Sequence, residues 1–148
     1  MDDLELLSDD HSLLGSQVVH LVAMLRTLVE GDFETGPLHS EINRQAQLLS
    51  SQLVEHFEFE EITAFPRLEQ RFPKLSSQLQ ALTAQHDEIL EAFEAMRADL
   101  RLELSQLKKV DIVSKASFFE STFGQHADSE SQLFAVMATR VSGFEEPR

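Results

Sequence analysis

Apolar residues recur at intervals of three and four along four stretches of the chain, the period of a helix that buries one face. The first stretch reads His11, Leu14, Val18, Leu21, Leu25, Leu28, and the second reads Ile42, Ala46, Leu49, Leu53, His56, Glu60, Ala64. The third reads Leu75, Leu79, Leu82, His86, Ile89, Phe93, Met96, Leu100, and the fourth Ile112, Ala116, Phe119, Phe123, His126, Glu130, Leu133, Met137. Apart from Gly15 and Gly124, glycine and proline stay out of these stretches. The pattern therefore breaks at Gly31 to Pro37, at Phe65 to Pro73 and near Ser105 to Asp111. Short connections favour antiparallel neighbours, so the pattern predicts an all-α fold, an antiparallel up-and-down four-helix bundle, with residues 1–148 as a single domain.

One histidine interrupts each stripe, and a polar group on a buried face is costly unless it finds a partner. A lone histidine among apolar residues is ordinarily a satisfied core residue, so the argument rests on whether the four meet. His11 and His56 lie about equally far from the middle of the first connection, near Phe33 and Glu34. His86 and His126 are equidistant from Gln106, and His56 and His86 from Arg71. With the same rise per residue in every helix, all four are predicted at one level. His20 falls about half a turn round the helix from His11 and is predicted to face away. His39 lies about 25 Å along its helix from His56, which predicts a structural role.

Two of the stretches add a carboxylate four residues on, His56 to Glu60 and His126 to Glu130, on the same face one turn apart. Four imidazoles and two carboxylates suit a pair of metal ions better than one, because a carboxylate can bridge two cations while neutral imidazole is a good terminal ligand. Two histidines and both glutamates per ion make four protein ligands, leaving iron one or two positions for water, oxide or a small ligand. Structural zinc prefers a closed tetrahedron, and calcium or magnesium prefers oxygen, so two iron ions are the expected cofactor, ahead of manganese or zinc. Glu61 and Asp87 are candidates to orient a ligating imidazole from outside, with Glu58 on the solvated face. Phe57, Phe59 and Phe123 are expected in the core, where they would also keep the site dry.

Composition narrows the chemistry further. The chain has no cysteine, which excludes disulfides, thiolate metal sites and thiol catalysis. Twelve basic against 26 acidic residues give a formal charge of −14, a poor match for nucleic acid or an anionic membrane surface. No run of about 18 uninterrupted apolar residues occurs, and the first residues lack a basic flank, so a soluble, cytoplasmic protein is expected. Tryptophan and tyrosine are absent while phenylalanine occurs eleven times. Such a core offers nothing that is easily oxidised by one electron.

The spacing resembles that of the hemerythrin-like, or HHE cation-binding, family: a lone histidine, HxxxE, a lone histidine, and HxxxE again. His56-Phe57-Glu58-Phe59-Glu60-Glu61, followed by Phe65-Pro66, is similar to the family's HFxxEE segment running into its FP break. The resemblance covers nearly the whole chain and implies His11, His56, Glu60, His86, His126 and Glu130 as the metal ligands. Oxygen-carrying hemerythrins place a further histidine four residues after the third one, where this chain has Leu90, and an aspartate one residue beyond the position of Glu130. The two-HxxxE pattern is closer to relatives linked to peroxide or nitric oxide, and to the di-iron domain of iron–sulfur repair proteins. It implies a non-haem di-iron protein that binds or turns over oxygen, peroxide or nitric oxide. The alternatives are an iron donor for cluster repair or a metal-dependent or redox-dependent sensor.

Overall fold

Wherever the three-and-four pattern runs, the chain is helical. A computed structural model describes residues 3–31, 36–102 and 109–141. Helix α1 spans Asp3–Glu30 and α2 spans Gly36–Phe59, with Pro37 in its first turn, where a missing N–H costs nothing. A π-helical turn, Glu60–Ala64, joins α2 to α3, Phe65–Arg71. A 3₁₀ turn at Pro73–Leu75 leads into α4, Ser76–Leu100, and α5 spans Lys109–Val141. Phe33, Glu34 and Gln106, the centres of the first and last connections, lie outside the described residues.

The break expected from Phe65 to Pro73 is narrower than that. The backbone stays helical through Pro66 and leaves the helix only at Phe72, with φ −130° and ψ 66°. A proline in an α-helix clashes with the carbonyl four residues back and leaves a carbonyl without its donor. Widening the preceding turn relieves both, and Phe65 N–H accordingly donates to the Glu60 carbonyl, the i to i+5 bond of a π turn.

Helix α1 packs against α2 and α5, and α4 against α2 and α5, which closes the four long helices into a ring. All the apolar stripe residues are buried, joined by Leu7, Phe57, Phe65 and Leu68. By composition and length α1 is apolar enough to cross a membrane. Its leucine and valine stripe, Leu7 to Leu28, is the face covered by the bundle. His39 sits where its spacing placed it, far from the other buried histidines. Its Nε2 donates to the Leu100 carbonyl at 2.8 Å, and Asn43 Nδ2 donates to the same oxygen at 2.9 Å, so α2 caps the end of α4.

The core is not continuous. One apolar cluster holds Leu14 to Leu28 of α1 with residues such as Ile42, Phe93 and Phe119. A second gathers Leu7, Phe65, Leu68, Leu79, Leu133 and Met137 at the other end. Between the two lie the buried polar residues His56, Glu60, His86, His126 and Glu130.

Candidate metal centre

The level predicted by chain arithmetic exists. His11 comes from α1, His56 from the last turn of α2, Glu60 from the start of the π turn, His86 from α4, and His126 and Glu130 from α5. Glu60 and Glu130 are fully buried and the three histidines of α2, α4 and α5 nearly so, while His11 lies at the margin.

The two glutamates stand in the middle, and each turns one oxygen to either side. Glu60 Oε2 faces His11 Nε2 at 3.3 Å and His56 Nε2 at 3.5 Å, and its Oε1 faces His86 Nε2 at 2.8 Å. Glu130 Oε2 meets His11 Nε2, and its Oε1 meets His126 Nε2 at 2.5 Å. The result is two overlapping quartets, His11, His56, Glu60, Glu130 and Glu60, His86, His126, Glu130. The ligand atoms of each quartet all lie within 4.8 Å of one another, compact enough to surround a metal ion.

The outward nitrogens decide what the inward ones can do. His86 Nδ1 lies 2.8 Å from Glu61 Oε2, His126 Nδ1 2.7 Å from Gln85 Oε1, and His56 Nδ1 3.4 Å from Asp10 Oδ2. All three partners are acceptors, so each Nδ1 carries the proton and each Nε2 presents a lone pair. Those lone pairs face carboxylate oxygens, which are also acceptors. All four Nε2 atoms and all four oxygens of Glu60 and Glu130 are buried without a hydrogen-bond partner among the described residues. Acceptors aimed at acceptors in a dry interior repel unless a cation, whether a metal ion or a proton, lies between them. The donor set, four imidazole nitrogens and four carboxylate oxygens, fits a metal of intermediate hardness.

In the ion-free cluster, protons take the place of cations. Burial raises the Glu60 carboxyl, but contacts with His11, His56 and His86 outweigh it and hold the group well below the usual carboxylate range. Burial, together with the neighbouring charge of Glu60, pushes Glu130 up to about 11. Burial, followed by repulsion from His86, drives His126 down to about 3. One carboxyl thus keeps a proton that a cation would displace.

Aromatic rings wall the cluster. Phe57 stacks on His86 with ring centres 4.0 Å apart and meets His126 edge-on at 5.9 Å. Phe134 stacks on His11 at 5.9 Å. Phe57 therefore combines the two roles expected of it, core packing and exclusion of water.

All six side chains singled out in the sequence come together here, while His20 is exposed and His39 stays away. Of the two proposed supporting acidic residues, Glu61 reaches a histidine, whereas Asp87 is exposed. Asp10 and Gln85 were missed. Each immediately precedes a lone histidine, Asp10 before His11 and Gln85 before His86, and each reaches across to the HxxxE histidine of the neighbouring helix. That shared position was the available signal.

Comparison with known proteins agrees with this geometry. A family model described as the hemerythrin HHE cation binding domain matches residues 3–138, nearly the whole chain. No curated protein and no solved structure matches it.

Proposed function

The chain belongs to the hemerythrin HHE cation-binding family, and from that premise we propose that it is a non-haem di-iron protein that binds or turns over oxygen, peroxide or nitric oxide. The observation that carries this reading is the pair of overlapping quartets sharing both glutamates. His11 and His56 would hold one iron and His86 and His126 the other, with Glu60 and Glu130 shared between the two. Two ferrous ions can together supply the two electrons that take oxygen to the level of peroxide, and each is a Lewis acid with coordination positions left for a small ligand.

The chain's own residues do the rest. Glu61, Gln85 and Asp10 fix three imidazoles with Nε2 inward, so little reorganisation is needed when an ion binds. Phe57, Phe65 and Phe134 pack against the imidazoles and keep bulk water from the ligands. The Glu130 carboxyl, protonated in the ion-free form, gives up its proton on loading. Nitrogen-rich ligation with just two carboxylates favours iron over calcium or magnesium.

Metal analysis of the protein loaded anaerobically with ferrous iron, followed by absorption spectra during exposure to oxygen, peroxide and nitric oxide, tests the reading. Two irons per chain and a spectral response to at least one of the three are expected. A single ion per chain, or two irons indifferent to all three molecules, would overturn it.

A further inference from the structure

The two ends of the cluster are unequally held. His86 and His126 have close Nδ1 acceptors, at 2.8 and 2.7 Å, and Phe57 lies flat on His86. At the other end, His56 has Asp10 at a longer 3.4 Å, and that carboxylate is 43% exposed. His11 is 12% exposed, against 4% or less for the other three histidines.

A cleft of about 280 Å³ between α1 and α2 reaches this weaker end. Asp10, Gln52, Glu55, His56 and Phe59 are in its wall. The grooves beside Glu61 and beside Gln85 have none of the six candidate ligands in their walls. The cleft thus brings together the carboxylates of Asp10 and Glu55, the ligand histidine His56, and Gln52 Oε1, a buried acceptor with no hydrogen-bond partner among the described residues. A water takes about 30 Å³, so a divalent ion with six waters needs about 180 Å³ and fits inside. Oxygen ligands suit a cation that still carries its water, because they exchange with that water one at a time.

Resting on the two-ion reading above, we propose that this cleft is the loading port of the metal centre: Asp10, Glu55 and Gln52 capture a hydrated divalent cation and pass it to the His11 and His56 end. Ions leave by the same route. The His86 and His126 end is reached across Glu60 and Glu130, so it fills second and empties last. A net charge of −14 raises the local cation concentration, and the two carboxylates direct those cations to the cleft.

Anaerobic loading of the whole protein with ferrous iron, and its removal by a chromophoric ferrous chelator, tests the route by stopped flow at low ionic strength. Glu55→Gln removes a charge from the cleft wall without touching a histidine, Asp10→Asn retains an acceptor for His56, and Asp87→Asn is an exposed carboxylate on α4, remote from the cleft. Loading slowed at least threefold in both cleft variants is expected, with wild-type rates in Asp87→Asn and two irons finally bound in Glu55→Gln and Asp87→Asn. Added salt shrinks the difference. Chelation should proceed in two phases of one ion each. Two ions bound at rates indifferent to Glu55→Gln and Asp10→Asn, or leaving in one phase, would overturn the port alone. A wild-type chain that takes up just one ion would instead overturn the two-ion reading on which it rests.

Discussion

Gln85 and Asp10 occupy equivalent places in the two halves of the chain, and neither belongs to an apolar stripe. Each is turned about 100° from the histidine that follows it, toward the neighbouring helix. Periodicity finds residues that face the core, so it found the six inward groups and passed over the two that reach sideways. His56→Ala and Glu130→Ala are expected to lower the metal content, whereas His39→Ala, which uncaps Leu100 of α4, should leave it unchanged. Gln85→Ala should retain the ligands but release the His126 ring, weakening metal binding about tenfold. Metal analysis and competition with a chelator read both effects. Equal loading in all four variants would break the assignment.

At the scale of the helix, the turn from Glu60 to Ala64 does the most for the site. Its extra residue lets the chain pass Pro66 without ending the helix, and it lies where Glu60 and Glu61 diverge, one to the centre and the other to His86. Phenylalanine followed by proline reads in the sequence as a stop, because proline usually is one. No local pattern announces that the preceding turn will widen to accommodate it. The four helices and their common level, by contrast, were legible, since both follow from spacing alone. Deleting Thr63 should return the segment to an ordinary α-helical turn and press Pro66 against the carbonyl four residues back, which strains the backbone beside Glu60 and Glu61. The expected result is a broad, early thermal transition by circular dichroism and less than one metal ion per chain. A sharp wild-type transition would show that the wider turn is dispensable.

Across the whole molecule, the ion-free centre is a burden on stability, because its acceptors are buried against one another. An ion present at about 1,000 times its dissociation constant contributes about 4 kcal/mol to the folded state, so chelation should lower the melting temperature by about 10 °C. The pH dependence has two opposite parts. His126, driven down to about 3, stays neutral in the folded chain but is protonated once unfolded below about 6.5. Stability is therefore lost as pH falls from there. Glu130, pushed up to about 11, keeps its proton in the folded chain, whereas the unfolded chain releases it above about 4.5. Its contribution is present below that value and is lost as pH rises. Metal-free protein should accordingly melt highest between about pH 4.5 and 6.5. Because loading expels the Glu130 proton, the gap between loaded and metal-free melting should widen from pH 6 to pH 8, and calorimetry in buffers of different ionisation enthalpy should detect about one proton released per chain at pH 7. A gap that narrows with rising pH would contradict the assignment of that proton.

The band of imidazoles and carboxylates also separates two oily compartments, one around Phe93 and Phe119 and the other around Leu68 and Met137. Cooperative melting depends on each part of a structure failing when another does. With cations in place the band should tie the compartments together, so that the bundle comes apart as one body. Without them each compartment should open more readily by itself, and occupancy of the centre would set the size of the piece that unfolds.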